Sequence, residues 1–134
     1  MPSTSIFPSR SRLLKQTGPV TVFLMQLPAL IQRLLDRLHG SQGHLARELR
    51  AAATDHAALI AGARRTPAPL PPTLMPYVDK VSRAPYQVTD RDIAALVESG
   101  LSEDQIFELT VVTAVGAALG RFEKTLELLD EATA

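Results

Sequence analysis

The chain has 134 residues, 46% of them hydrophobic, which is enough to bury one core, so we expect a single domain. It contains no cysteine, which excludes disulfide bonds, thiolate metal ligands and thiol redox chemistry. The formal net charge is zero, but basic residues predominate before residue 51 and acidic residues from Thr89 onward. This asymmetry predicts that basic and acidic helices pack together, within or between subunits; a basic nucleic-acid-binding arm is the alternative.

The composition favours an all-α fold, because alanine and leucine are abundant and β-branched residues are few outside 111–115. We predict about five helices in one domain over residues 19–134. Residues 1–18 are rich in serine, proline and arginine and are predicted to be poorly ordered. The apolar run 20–27 follows basic residues, as in a signal peptide, but it is short and lacks a small-residue cleavage site. We interpret it as a core helix or as an extended arm that covers a neighbour.

Two amphipathic helices are predicted next. Pro28 suits the first position of a helix, and residues 29–38 follow with one apolar face. A glycine-containing turn then leads to a helix over about 44–63. Its predicted inward face consists of Leu45, Leu49, Ala52, Ala53, His56, Leu59 and Ile60. A proline-rich link over 64–72 and a short helix near 74–81 complete this half of the chain.

The clearest pattern lies in residues 88–129. The spacings Thr89–Asp92 and Ser102–Gln105 are those of capping boxes, which mark the first turns of two helices. Gly100 lies between them and suits the left-handed conformation that often ends a helix. The sequence therefore predicts a short helix, a glycine turn and a long helix over about 103–131.

The long helix carries two contrasting stripes. The bulky stripe comprises Phe107, Val111, Val115, Leu119 or Ala118, Phe122, Leu126 and Leu129, and the small stripe comprises Thr110, Thr113, Gly116, Ala117 and Gly120. Such a helix can pack against two partners, and we expect close backbone approach on its small side to offset the cost of about 1 kcal/mol for each interior glycine. Its apolar stretch 109–119 is shorter than the roughly 20 residues that cross a bilayer. We therefore predict a buried helix in a cytoplasmic protein without membrane contact.

Residues 86–127 resemble the C-terminal helical part of the alkylhydroperoxidase D-like and carboxymuconolactone decarboxylase superfamily. The resemblance rests on Val88-Thr89-Asp90, Ala95-Leu96 with Gly100-Leu101-Ser102, Ile106-Phe107-Glu108, and the small-residue run 112–120 followed by Arg121. It implies an alkylhydroperoxidase D-like helical bundle that assembles as trimers or hexamers. Redox members of the superfamily carry a Cys-x-x-Cys motif with a nearby histidine. The turn 40–44, where that motif would be sought, contains no sulfur, so thiol peroxidase activity is excluded.

Three residues are candidates for catalysis. His44 and Glu48 are four apart on the predicted helix, so they could form an acid–base pair; a surface contact at the helix start is the alternative. Glu108 lies among apolar residues and could be a functional buried carboxylate with a partner such as Arg83 or Arg91; a carboxylate at the exposed edge of the helix or a structural ion pair is the alternative. His44 and His56 would lie about 18 Å apart along a helix, too far to share a metal ion, so no metal or cofactor site is predicted.

Two functions follow from these observations. The first is a diverged structural or binding homo-oligomer on the alkylhydroperoxidase D-like scaffold, without redox cysteines. The alternative is a cysteine-free, carboxymuconolactone decarboxylase-like enzyme that uses histidine and glutamate on a small lactone or acid. A pocket lined by His44, Glu48 or Glu108 would favour the enzyme. Nucleic acid is not an expected partner, because duplex phosphates would repel the acidic start of the long helix at 103–104.

Overall fold

The computed structural model describes residues 19–40 and 42–133, the first nine and the last of these by their backbone alone. This part of the chain contains five α-helices, one 3-10 turn and no strand. The helices are α1 (Pro19–Leu38), α2 (Arg47–Ile60), α3 (Met75–Arg83), α4 (Asp90–Glu98) and α5 (Glu103–Thr133), and the 3-10 turn is Pro85–Gln87. The predicted all-α class with a long C-terminal helix is confirmed. The expectation for 1–18 lies outside the described residues.

Helices α2 and α5 form the centre of the fold. They make the most extensive helix–helix contact, and α3 packs against both of them. The largest cluster of buried residues lies where these three helices meet and includes Ala52, Ala53, Leu74, Val78, Leu109 and Val112. The core is therefore built around the packing of α5 on an alanine-rich helix.

Two glycines let α5 approach α2 closely. A Cβ atom at Gly116 would overlap the backbone of Thr54, and one at Gly120 would overlap the backbone of Ala58. Both neighbours lie on α2, so the small side of α5 faces the backbone of α2 directly. The prediction that the two interior glycines allow close packing against another helix is confirmed.

The starts of α4 and α5 have the predicted caps. The Thr89 amide donates to Asp92 Oδ2 at 2.8 Å, and the Ser102 amide donates to Gln105 Oε1 at 2.9 Å. Gly100 lies between the helices with φ of 103°, a conformation that glycine adopts without strain. The predicted short helix, glycine turn and long helix are confirmed.

The bulky side of α5 is only partly covered by the residues that the structure describes. Of the predicted bulky stripe, only Leu119 is buried, while Val111, Val115, Phe122 and Leu126 are half-buried and Phe107, Ala118 and Leu129 are exposed. The buried side is instead formed by Ile106, Leu109, Val112, Thr113, Gly116, Ala117 and Gly120. The expectation of two covered sides is therefore confirmed for the small side alone, because close contact with α2 turns the glycines inward.

The predicted starts of α1 and α2 were wrong. Pro19 occupies the first turn of α1, and Pro28 lies inside it, where it removes one backbone hydrogen bond without ending the helix. Helix α2 begins at Arg47 rather than near His44, and the amides of His44 and Leu45, which precede the helix, donate to the Glu108 carboxylate. Leu59, predicted to face inward, is exposed.

The proline-rich link 64–72 lies against the central helices. Leu70 is buried in the core, and the carbonyl oxygen of Ala68 lies 2.9 Å from His56 Nε2 on α2. Arg65 Nη2 donates to Glu123 Oε1 of α5 at 2.6 Å. His56 is thus held by a backbone hydrogen bond, and the link is fixed to α2 and α5.

Among the described helices, α5 is the one long and apolar enough to cross a membrane. An 18-residue window of its stretch Glu103–Ala132 reaches a mean hydropathy of 1.2, and 44% of that window is buried inside the chain. Core helices of soluble proteins satisfy the same criterion. The absence of membrane contact, inferred from the shorter apolar stretch 109–119, stays a prediction.

Candidate functional site

Glu108 belongs to a buried ion pair with Arg50. Arg50 Nε lies 3.1 Å from Glu108 Oε1, and only 3% of the arginine side chain is exposed. The carboxylate also accepts hydrogen bonds from the His44 amide at 2.8 Å and from the Leu45 amide at 3.2 Å. The Arg50 guanidinium in turn donates to the backbone carbonyls of Leu38, Gly40 and Leu45. The pair therefore fastens the α1–α2 loop to α5.

The partner of Glu108 differs from the two that the sequence suggested. Arg83 is exposed and pairs with Asp79 one turn earlier on α3, at 2.7 Å. Arg91 is exposed on α4. Because both oxygens of Glu108 already accept hydrogen bonds from the protein, its contacts are those of a structural ion pair.

His44 and Glu48 do not form the helical pair that their spacing suggested. His44 lies in the bend before α2, so the two residues do not occupy successive turns of one helix. Both side chains are exposed, and no ion pair joins them among the residues that the structure describes. His44 contributes through its backbone, because its carbonyl accepts from Gln105 Nε2 at 3.0 Å.

A groove of about 560 Å³ lies between the C-terminal half of α1 and α2. Its apolar lining consists of Leu35, Ala51, Ala58 and Leu119, and its polar lining includes Gln32, Asp36, His39, Arg47, Thr54, Asp55 and Arg65. None of the three predicted candidates, His44, Glu48 and Glu108, lines it. The volume falls within the range of roughly 300–1,000 Å³ that is typical of small-molecule sites.

His39 and Thr54 form the most specific contact in this groove. His39 Nε2 lies 2.9 Å from Thr54 Oγ1, and the buried hydroxyl is also 3.0 Å from the Arg50 carbonyl oxygen and 3.2 Å from that of Val112. A hydroxyl has a single hydrogen, so when it donates to a carbonyl it accepts from the imidazole. The other ring nitrogen of a neutral His39 is then an acceptor.

The surroundings of His39 favour its neutral form. Burial lowers the pKa of His39 below its ordinary value of 6.5. The charges of Arg50 and Arg47 lower this pKa further, whereas Asp55 and Asp36 raise it, and the lowering effects prevail. At neutral pH the groove therefore contains an uncharged imidazole, which can accept a hydrogen bond or a proton.

We expect the lowered pKa of His39 to make stability depend on pH. The unfolded chain binds a proton to this residue at a higher pH than the folded chain does. Stability is therefore fully present above the unfolded value of 6.5 and decreases as the pH falls through 6.5 toward the folded pKa. Urea unfolding at about pH 7.5 and about pH 5.5 measures this difference. His39→Gln should reduce this difference in the free energy of unfolding, while His44→Gln, at an exposed position, should retain it. If both variants showed the same difference between the two pH values, the expectation would be contradicted.

The charged lining of the groove is unevenly paired. Arg65 Nη2 lies 2.6 Å from Glu123 Oε1, and Arg65 Nε lies 3.7 Å from Asp55 Oδ1. Asp36 accepts a hydrogen bond from Gln32 Nε2 at 2.9 Å. Arg47 has neither an ion pair nor a side-chain hydrogen bond within residues 19–40 and 42–133. Its guanidinium is therefore available to a ligand.

Sequence reasoning considered His39 only as part of a turn and did not consider Thr54. Fifteen residues separate the two, and their contact depends on how the carbonyls of Leu38, Gly40 and Leu45 close around Arg50. No local spacing indicates this closure. In the part of the chain that the structure describes, no group of three or more histidine, aspartate or glutamate side chains is placed to hold a metal ion.

Comparisons with known proteins identify no relative. No protein-family model, no curated protein and no solved structure matches the chain. The resemblance of residues 86–127 to the alkylhydroperoxidase D-like superfamily stays a prediction.

Proposed function

We propose that this chain is a self-associating helical protein with a structural or binding role, built on an alkylhydroperoxidase D-like scaffold that lacks redox cysteines. The observation that carries the proposal is the uncovered bulky side of α5. Phe107 is 71% exposed although it belongs to a helix whose opposite side is tightly packed. An exposed aromatic ring that belongs to a continuous apolar stripe, rather than a single exposed residue, is typical of a surface that another protein covers.

The uncovered residues form one continuous stripe. Phe107, Val111, Val115 and Ala118 recur at helical spacing, so they lie on the same side of α5 over a length of about 16 Å. Val111 and Val115 are half-buried, and Phe107 and Ala118 are exposed. A second copy of the chain presents the same stripe, so two copies can bury it against each other around a two-fold axis.

The alternative enzymatic function receives less support from the structure. His44 and Glu48 lie in solvent, and Glu108 serves a structural ion pair. The acid–base chemistry that was assigned to these residues would require them to converge on a common pocket. The groove of the chain contains a different histidine, His39.

The scaffold assignment is supported by the C-terminal hairpin. The short α4, the Gly100 turn and the long α5 follow the order that the resemblance implies, and the run 112–120 packs closely through its glycines. Superfamily members assemble through such helices as trimers or hexamers. The proposal therefore also covers these higher symmetries, and the mass of the assembled protein distinguishes them from a dimer.

We expect Phe107→Asp combined with Ala118→Asp to yield a monomer. Both side chains are exposed in the single chain, so the charges should not disturb its fold, but they would be desolvated in an assembly. Light scattering coupled to size-exclusion chromatography should give a multiple of the chain mass for the wild type and a single chain mass for the variant. Circular dichroism checks that the helix content is unchanged.

Tyr86→Asp is the matched control for this experiment. Tyr86 is 84% exposed and lies on the 3-10 turn rather than on α5. It should keep the wild-type mass, which would show that the loss of assembly is specific to the stripe. A wild-type protein that is monomeric at tens of micromolar, or a double variant that assembles like the wild type, would refute the proposal.

A further inference from the structure

The groove between α1 and α2 presents charges of both signs that the fold leaves incompletely paired. Arg47 has no partner among the described residues, and Asp36 has only the amide of Gln32. Asp55 is 3.7 Å from Arg65 Nε, but Arg65 makes its shorter contact, 2.6 Å, with Glu123. A ligand in the groove would therefore meet one free cation and two carboxylates that lack a close cationic partner.

The balance of these charges selects among ligand types. With His39 neutral, two arginines, Arg47 and Arg65, face three carboxylates once the buried Glu123 is included. A simple anion would be attracted by Arg47 but repelled by the excess negative charge, and a simple cation would leave Arg47 unpaired. A molecule that carries both an ammonium and a carboxylate group complements both parts of the groove.

The apolar part of the lining restricts the ligand further. Leu35, Ala51, Ala58 and Leu119 border the same space as the charged side chains. They provide a surface for an aliphatic group next to the polar contacts. An aliphatic amino acid combines the three required features in one small molecule.

We propose that this groove binds a free aliphatic amino acid, with its carboxylate on Arg47, its ammonium group between Asp36 and Asp55, and its side chain on the apolar lining. Arginine suits the first contact because its planar guanidinium can donate two parallel hydrogen bonds to a carboxylate. The ammonium group has three N–H donors, and the oxygens of two carboxylates can accept hydrogen bonds from them. This site does not require self-association, so its test is independent of the proposed function.

Calorimetric titration with matched probes tests the charge requirement. Leucine, valine and methionine are titrated as zwitterions, and leucine methyl ester and N-acetyl-leucine retain one charge each. At least one free amino acid should bind saturably, and we expect both modified leucines to bind about tenfold more weakly than leucine, or worse. Absence of saturable binding by all three amino acids at millimolar concentration would overturn the proposal. The proposal would also be overturned if leucine methyl ester or N-acetyl-leucine bound as tightly as leucine.

Two variants test the position of the site. Arg47→Gln should weaken binding of the amino acid about tenfold or more, because it removes the carboxylate contact. Arg64→Gln is the matched control, since Arg64 is an exposed arginine that pairs with Glu127 and does not line the groove. It should bind like the wild type. Equal affinities in the two variants, with unchanged circular dichroism, would show that the amino acid binds elsewhere.

Discussion

Gly116→Val will lower the free energy of unfolding by about 2 to 3 kcal/mol, because a side chain at this position would overlap the backbone of Thr54 on α2. Backbone atoms cannot rotate aside as the end of a flexible side chain can, so the two helices must separate. Separation would weaken the most extensive helix–helix contact of the fold. Urea unfolding monitored by circular dichroism measures the change.

The sign of the effect of Gly116→Ala is a stricter test. In an open position on a helix, this substitution would stabilise the protein by about 1 kcal/mol, because alanine has the higher helix propensity. Here we expect destabilisation, since even one methyl group meets the carbonyl of Thr54. Ala94→Val at an exposed position of α4, outside the proposed assembly stripe, is the control and should cost less than about 1 kcal/mol. A stabilised Gly116→Ala variant would contradict the close packing.

Local signals in the sequence were sufficient to predict the C-terminal hairpin. These signals are local. Each capping box, at Thr89 and at Ser102, joins residues three apart, Gly100 ends the short helix between them, and the structure contains all three features. Burial on α5 could not be predicted in the same way. The two stripes predicted two covered sides, but within the described residues only the side that carries Gly116 and Gly120 is closely packed, against the alanine-rich α2.

The candidate site depends on contacts between distant residues, and for this reason its prediction was incomplete. His44 and Glu48 were paired on the assumption that α2 begins near His44, but His44 lies in the bend before α2, where the amides of His44 and Leu45 donate to the distant Glu108 carboxylate. The pairing of basic with acidic helices was anticipated from the charge asymmetry, and Arg50 on α2 with Glu108 on α5 is an example. The contact of His39 with Thr54 follows from the same loop closure and has no signature in local spacing.

Arg50→Met should be the most damaging of the single changes considered, lowering the free energy of unfolding by about 3 to 5 kcal/mol. It removes the cationic partner of Glu108 in a buried position and leaves three carbonyl groups, of Leu38, Gly40 and Leu45, without their donor. Because these bonds close the loop that holds His39 against Thr54, the groove should also lose its shape. Urea unfolding gives the stability change.

A double-mutant cycle separates loss of the charge pair from loss of packing. Glu108→Gln added to Arg50→Met removes the unpaired charge, so the double variant should be more stable than the sum of the two single changes predicts. Arg83→Met provides the surface comparison, because Arg83 is 61% exposed in its pair with Asp79 and should cost less than about 1 kcal/mol. If Arg50→Met cost no more than Arg83→Met, the pair would not hold the loop, and the groove would need another explanation. We expect the two variants to differ strongly in stability because of burial. When Arg83 is removed, water can solvate the exposed Asp79 carboxylate, but when Arg50 is removed, water reaches the Glu108 carboxylate less freely.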